Sequence, residues 1–134
     1  MKNFEEITKP LNSEEMNVVR IFCGHFRNKK GKKHTITNKK IQSALKRKFQ
    51  IEISGARIRK CVNYIRLNRL IPGLVACSSG YYVAESAEDF MNWLDSMKER
   101  EEAIKAVRKA GEKDLKATFG LLAQYGIKRK TPQC

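Results

Sequence analysis

Residues 27–70 hold nine Lys and six Arg against the single acid Glu52, a surplus of fourteen positive charges in 44 residues. This segregation limits what the chain can become. Like charges at that density repel and work against compaction, so whatever fold forms must spread them over a surface. Residues 1–26 carry a net −1 and residues 71–134 a net +1, so the middle third accounts for the whole +14 of the 134-residue chain. A polyanion is the natural counterweight, with nucleic acid first and an anionic membrane surface second. A membrane-surface helix needs a wide apolar face of Leu, Phe and Trp on the basic segment itself. Here the bases alternate with ordinary core positions, which favours nucleic acid.

The apolar positions divide the chain into short helices. Asn12-Ser13-Glu14-Glu15 has capping-box spacing, and Val18, Val19, Ile21, Phe22 and Phe26 mark one helical face through about residue 27. Arg27–His34 reads as an exposed basic loop, and Thr35-Ile36-Thr37 suffices for one strand-like pairing. Thr37 or Asn38 caps a second helix from Lys39 to about Phe49, with Ile41, Leu45 and Phe49 inward. Ser54 caps a third, Gly55 to about Asn68, with Ile58, Cys61, Val62, Ile65 and Leu67 at helical spacing. Two short helices joined by a few residues, the second rich in Arg and Asn, form a helix-turn-helix pattern. Leu70–Ala76 and Tyr81–Ala84, separated by Cys77-Ser78-Ser79-Gly80, then read as a β-hairpin. Tyr81 and Tyr82 alternate faces, which predicts one in the core and one exposed.

Ile53–Ile65, Leu70-Ile71 and Gly80-Tyr81-Tyr82-Val83 together resemble winged helix-turn-helix DNA-binding domains over roughly residues 12–84. A fainter likeness is to small winged-helix proteins of phages and mobile elements. The resemblance implies a mainly α fold with a small β-hairpin (α+β), in which a winged helix-turn-helix is followed by a C-terminal helical extension. The expected organisation is a nucleic-acid-binding domain over 1–85, a helical extension over 86–126 and a basic tail over 127–134.

In the extension, Ser86-Ala87-Glu88-Asp89 is another cap, followed by Phe90, Trp93, Leu94, Met97, Ile104 and Val107 as an apolar stripe. Its first half is expected to pack on the winged helix. Its second half, with Leu115, Phe119, Leu121 and Leu122, lacks a visible core, and a helix from another copy is the natural acceptor. A homodimer is therefore expected. Gly111 should weaken the helix.

Chemistry is sparse. Cys23, Cys61, Cys77 and Cys134 are scattered, and the histidines are His25 and His34, so neither a metal site nor a redox dithiol is expected. There is no glycine-rich phosphate loop and no nucleophile motif, and the chain reads as a non-enzyme without cofactor. The longest apolar runs fall well short of a membrane span, and Met1–Glu6 lack a signal-peptide core. The expected location is the cytoplasm.

The expected function is sequence-selective binding of double-stranded DNA, most simply in transcription regulation. Replication or packaging on mobile-element DNA, an RNA-binding winged helix and a protein–protein adaptor are the alternatives. Arg bonds guanine bidentately and Asn does the same with adenine. On that basis Arg57, Arg59, Lys60 and Asn63 are expected on the solvent side of the third helix, facing base edges. Ser54 and the backbone at Gly55 suit a phosphate. Lys39 and Lys40 on the second helix are candidate phosphate contacts. The Ser78-Ser79-Gly80 wing tip is uncharged, so Lys30, Lys32 and Lys33 in the basic loop are expected to replace a charged wing.

Overall fold

The computed structural model describes residues 8–120. The expectations for Met1–Glu6, Leu121, Leu122, Cys134 and the tail at 127–134 lie outside the described residues. The described chain is mainly helical with one antiparallel hairpin, in the order expected: α1 (Ser13–Phe26), a 3-10 turn (Lys32–His34), α2 (Asn38–Phe49), α3 (Gly55–Leu67), β1 (Leu74–Cys77), β2 (Gly80–Val83) and α4 (Ala87–Phe119). It divides into two compact units between Phe90 and Met91.

Each helix in the first unit starts where a side-chain oxygen satisfies a free amide. Asn12 Oδ1 accepts from Glu15 N at 2.8 Å while Glu15 Oε1 accepts from Asn12 N at 3.0 Å, completing the capping box of α1. Thr37 Oγ1 accepts from Lys40 N, and Ser54 Oγ from Arg57 N, both at 3.2 Å. The core lies among α1, α2, α3 and the hairpin. Val18, Val19, Phe22, Phe26, Ile41, Leu45, Ile58, Cys61, Val62, Ile65, Leu74, Tyr81 and Val83 form one buried cluster.

The hairpin pairs Leu74 with Val83 and Cys77 with Gly80. A third segment lies against β2: Ile36 N donates to Tyr81 O at 3.0 Å, Tyr81 N to Ile36 O at 2.9 Å, and Gly31 N to Val83 O at 2.8 Å. The Ile36–Tyr81 bridge needs glycine next door. A Cβ on Gly80 would lie 2.3 Å from Ile36 O, and the residue's φ of +124° is itself unsuited to L side chains.

Two inward assignments and one outward assignment are corrected. Phe49 is 47% exposed, because it is the last residue of α2 and sits at the rim of the core. Leu67 is 84% exposed: two residues past Ile65, it has rotated off the buried face of α3. Tyr81 and Tyr82 do alternate faces, yet both are buried. Tyr81 packs edge-on against Phe22, with centroids 5.8 Å apart, while the Tyr82 hydroxyl donates to Asp89 Oδ1 at 3.2 Å in the first turn of α4.

The second unit contains the rest of α4. Its helix runs unbroken through Gly111, and Met91, Leu94, Met97, Ile104, Val107 and Phe119 are exposed along it. No residue of α4 is fully buried, its first half included. Half-burial stops at Asp89, Phe90 and Trp93 in that half. No helix among the described residues is long and apolar enough to cross a membrane.

Candidate nucleic-acid interface

The third helix presents two different surfaces. Toward α1, Arg57 is 8% exposed and grips Glu15 with a two-pronged ion pair, Nε to Oε2 at 2.6 Å and Nη2 to Oε1 at 2.7 Å. Nη1 also reaches the carbonyl of Lys9 at 2.8 Å, and Nη2 that of Pro10 at 3.1 Å. The guanidinium holds the Glu15 carboxyl below its usual pKa, outweighing the opposing effect of burial. Arg57 is therefore a structural clamp and not a solvent-side DNA contact, which corrects its expected role. The reason lies in helical spacing: residues 57, 61 and 65 stack along one line, and Cys61 and Ile65 are core. Burial also lifts the Cys61 thiol to about 11, leaving it protonated and inert at neutral pH.

Ser54 is likewise committed. Its hydroxyl caps Arg57 N, and it lines a small recess shared with Glu14, Glu15 and Glu52. A phosphate there would meet carboxylates, so the expected phosphate contact at Ser54 is not supported.

Away from α1, Arg59, Asn63 and Arg66 follow one another at steps of four and three residues and share a stripe of α3. Arg59 and Asn63 are exposed, and Arg66 Nη2 donates to Asn63 Oδ1 at 2.5 Å. Lys60, one position round, is half-buried. Arg59 folds back over the first turn, with Nη1 3.6 Å from where a Gly55 Cβ would sit and Asn38 Nδ2 4.0 Å from the same point. Both distances are ordinary van der Waals contacts, and they place the guanidinium beside the start of α2. There Asn38 Oδ1 accepts from the Tyr81 hydroxyl at 2.7 Å. Burial raises the Tyr81 pKa, with the Asn38 hydrogen bond and the charges of Arg59 and Arg66 pulling the other way. Three elements, α2, α3 and β2, therefore converge at one place.

Thr37, Asn38 and Lys39 face Cys77, Ser78 and Gly80 across a shallow recess of about 220 Å³. The uncharged hairpin tip thus has Lys39 across the recess, and Lys40 follows, exposed, on the same turn. Lys30, Lys32 and Lys33 belong to the loop tied to Val83, two residues along β2 from Tyr81, or about 7 Å; all three are exposed there. They border the hairpin near its base and not at its tip.

The structure therefore brings together Gly55, Arg59, Asn63, Lys39 and Lys40, keeps Lys60 at the margin, sets Lys30, Lys32 and Lys33 apart along β2, and withdraws Ser54 and Arg57. Asn38 and Tyr81, whose hydrogen bond shapes the centre of the site, were not among the expected contacts. No periodicity within one element signals a contact between residues 43 apart. Among the described residues no group of three or more His, Cys, Asp or Glu side chains could hold a metal ion. No family model, curated protein or solved structure matches this chain.

Proposed function

We propose that the chain is a sequence-selective duplex-DNA-binding protein of the winged helix-turn-helix kind, homodimeric through α4 and most simply a transcriptional regulator. The observation that carries this reading is the Arg59–Asn63–Arg66 stripe on α3, flanked by Lys39 and Lys40 at the start of α2 and backed by Asn38 and Tyr81. An α-helix fits the major groove, Arg and Asn are the residue types that read guanine and adenine there, and the flanking lysines suit phosphates. Burial of both hairpin tyrosines favours duplex DNA over single-stranded RNA, because neither offers a ring face on which a base could stack.

The test is fluorescence anisotropy on a mixed-sequence duplex of about 25 base pairs across a salt series, followed by selection of a preferred site. Engagement of about five phosphates gives a log–log slope near −4.5. Arg59→Ala and Asn63→Ala should each weaken the selected site by about 1–3 kcal/mol and relax its sequence preference. Lys39→Ala should weaken all duplexes alike. Binding that ignores salt, or an Arg59→Ala protein with full affinity and selectivity, refutes the reading and makes the basic face an adaptor surface.

A further inference from the structure

Within the second unit, residues 91–119 form a continuous helix with no fully buried side chain, although six of the nine exposed large hydrophobics of the described chain lie on it. A bare amphipathic helix gains little stability from propensity alone, since tertiary packing of the apolar face usually supplies most of it. The homodimer reading supplies that packing; the orientation is what the residues further determine.

Leu94, Met97, Glu101, Ile104, Arg108, Gly111 and Leu115 succeed one another at alternating steps of three and four, the spacing of a two-helix coiled-coil seam, with Met91, Val107 and Phe119 lying beside it. Two of these seam residues are charged. They have opposite signs, lie seven residues apart, and straddle Ile104 almost symmetrically. Both are exposed, and Arg108 reaches along its own helix to Glu112 at 2.6 Å. The charges beside the seam follow the same polarity. From Met91 to Ile104 there are four acids and two bases, and from Lys105 to Phe119 five bases and two acids.

We infer that α4 pairs with α4 of a second copy in antiparallel orientation about a two-fold axis near Ile104, with Glu101 of each copy facing Arg108 of the other. Parallel pairing in register would set Glu101 against Glu101 and Arg108 against Arg108, and acidic half against acidic half. Antiparallel pairing converts all of these into opposite-charge contacts, and the glycine at 111 leaves room for a bulkier residue across the seam. This inference rests on the homodimer reading and is independent of what the basic face binds.

The experiment is sedimentation equilibrium of the full chain at low salt, without nucleic acid, for the wild type, Glu101→Arg, Arg108→Glu and the double variant. The wild type should dimerise at tens of micromolar, each single variant should dissociate at least about tenfold more readily, and the double variant should recover to within about threefold. Recovery cannot arise within one helix. The double exchange places a base at position 101, four residues before Lys105, and an acid at position 108, four before Glu112, so it sets like charges at both i,i+4 spacings. Far-UV circular dichroism checks that each variant keeps its helix. A wild type that stays monomeric at about 100 µM overturns the dimer itself. A dimer that is indifferent to the single exchanges, or not restored by the double, overturns the antiparallel orientation alone.

Discussion

Replacing Glu15 with Gln removes one charge and almost no volume, and it isolates the Arg57 clamp. The side chains of the pair are 9% and 10% exposed, and after the substitution Arg57 would keep its hydrogen bonds to the Lys9 and Pro10 carbonyls but lose the carboxylate that faces it. The capping box survives, since Gln at that position can still accept from the Asn12 amide. What is lost is compensation for a buried cation, which costs about 3–5 kcal/mol when one partner of such a pair is removed. For a folded unit of this size that is a drop in Tm of about 12–40 °C. Thermal unfolding followed by circular dichroism at pH 7 and moderate salt measures it. The sign with pH follows from the depressed Glu15 pKa: the pair's stabilisation is present above the ordinary carboxyl value and drains away as pH falls through the lower folded value. The His25 imidazole, whose pKa is lowered first by burial and then by the charges of Lys29, Lys48 and His34, also resists protonation in the fold and adds to acid sensitivity below its ordinary 6.5. Glu15→Gln should therefore flatten the acid limb without abolishing it. A Tm change of less than about 4 °C at pH 7 would mean that Arg57 is solvated, and would return it to the candidate interface.

Other substitutions probe the backbone and the thiols. Gly80→Ala should destabilise the first unit by at least about 2 kcal/mol in urea titration, since both the φ and the Ile36 carbonyl oppose it. Gly111→Ala meets nothing within 4 Å in a single chain, so at concentrations where the protein is monomeric it should raise the helix content of α4 and its stability by about 0.5–1 kcal/mol, whereas at concentrations that favour the dimer the added methyl in the seam should offset that gain. In native alkylation read by mass spectrometry, exposed Cys77 should label readily, while Cys61, buried and protonated, should label only after unfolding. Tyr81→Phe should leave the core packed but release Asn38 from the hydroxyl, and its effect on selective DNA affinity should exceed its effect on Tm.

The fold is legible because each element announces itself locally. Asn12, Thr37, Ser54 and Ser86 all act as the caps their positions suggest, the last through an Asp89 N to Ser86 Oγ bond of 3.1 Å. The β-branched Ile36 makes the single pairing expected of it. Legibility fails where a residue's type suggests one environment and its helical phase dictates another. Arg57 reads as a surface base by its charge, although its spacing from Cys61 and Ile65 puts it on the core line. Leu67 reads as core by its hydrophobicity, although it lies past the turn that reaches the core. Asn38 and Tyr81 fail differently: their contact depends on how β2 returns to the start of α2, which only tertiary structure supplies.

The pairing of residues 31–36 with β2 also bears on aggregation. An uncovered strand edge is a template on which other chains can build, and a bare hairpin has two. Here the β2 side is bonded at Gly31 and again at Ile36, so that among the described residues the edge without a strand partner is β1, four residues long and preceded by Pro72 and Gly73. The same glycine that admits the Ile36 carbonyl thereby blunts edge-to-edge growth. Loss of that contact should show itself as aggregation on warming as well as a lower Tm.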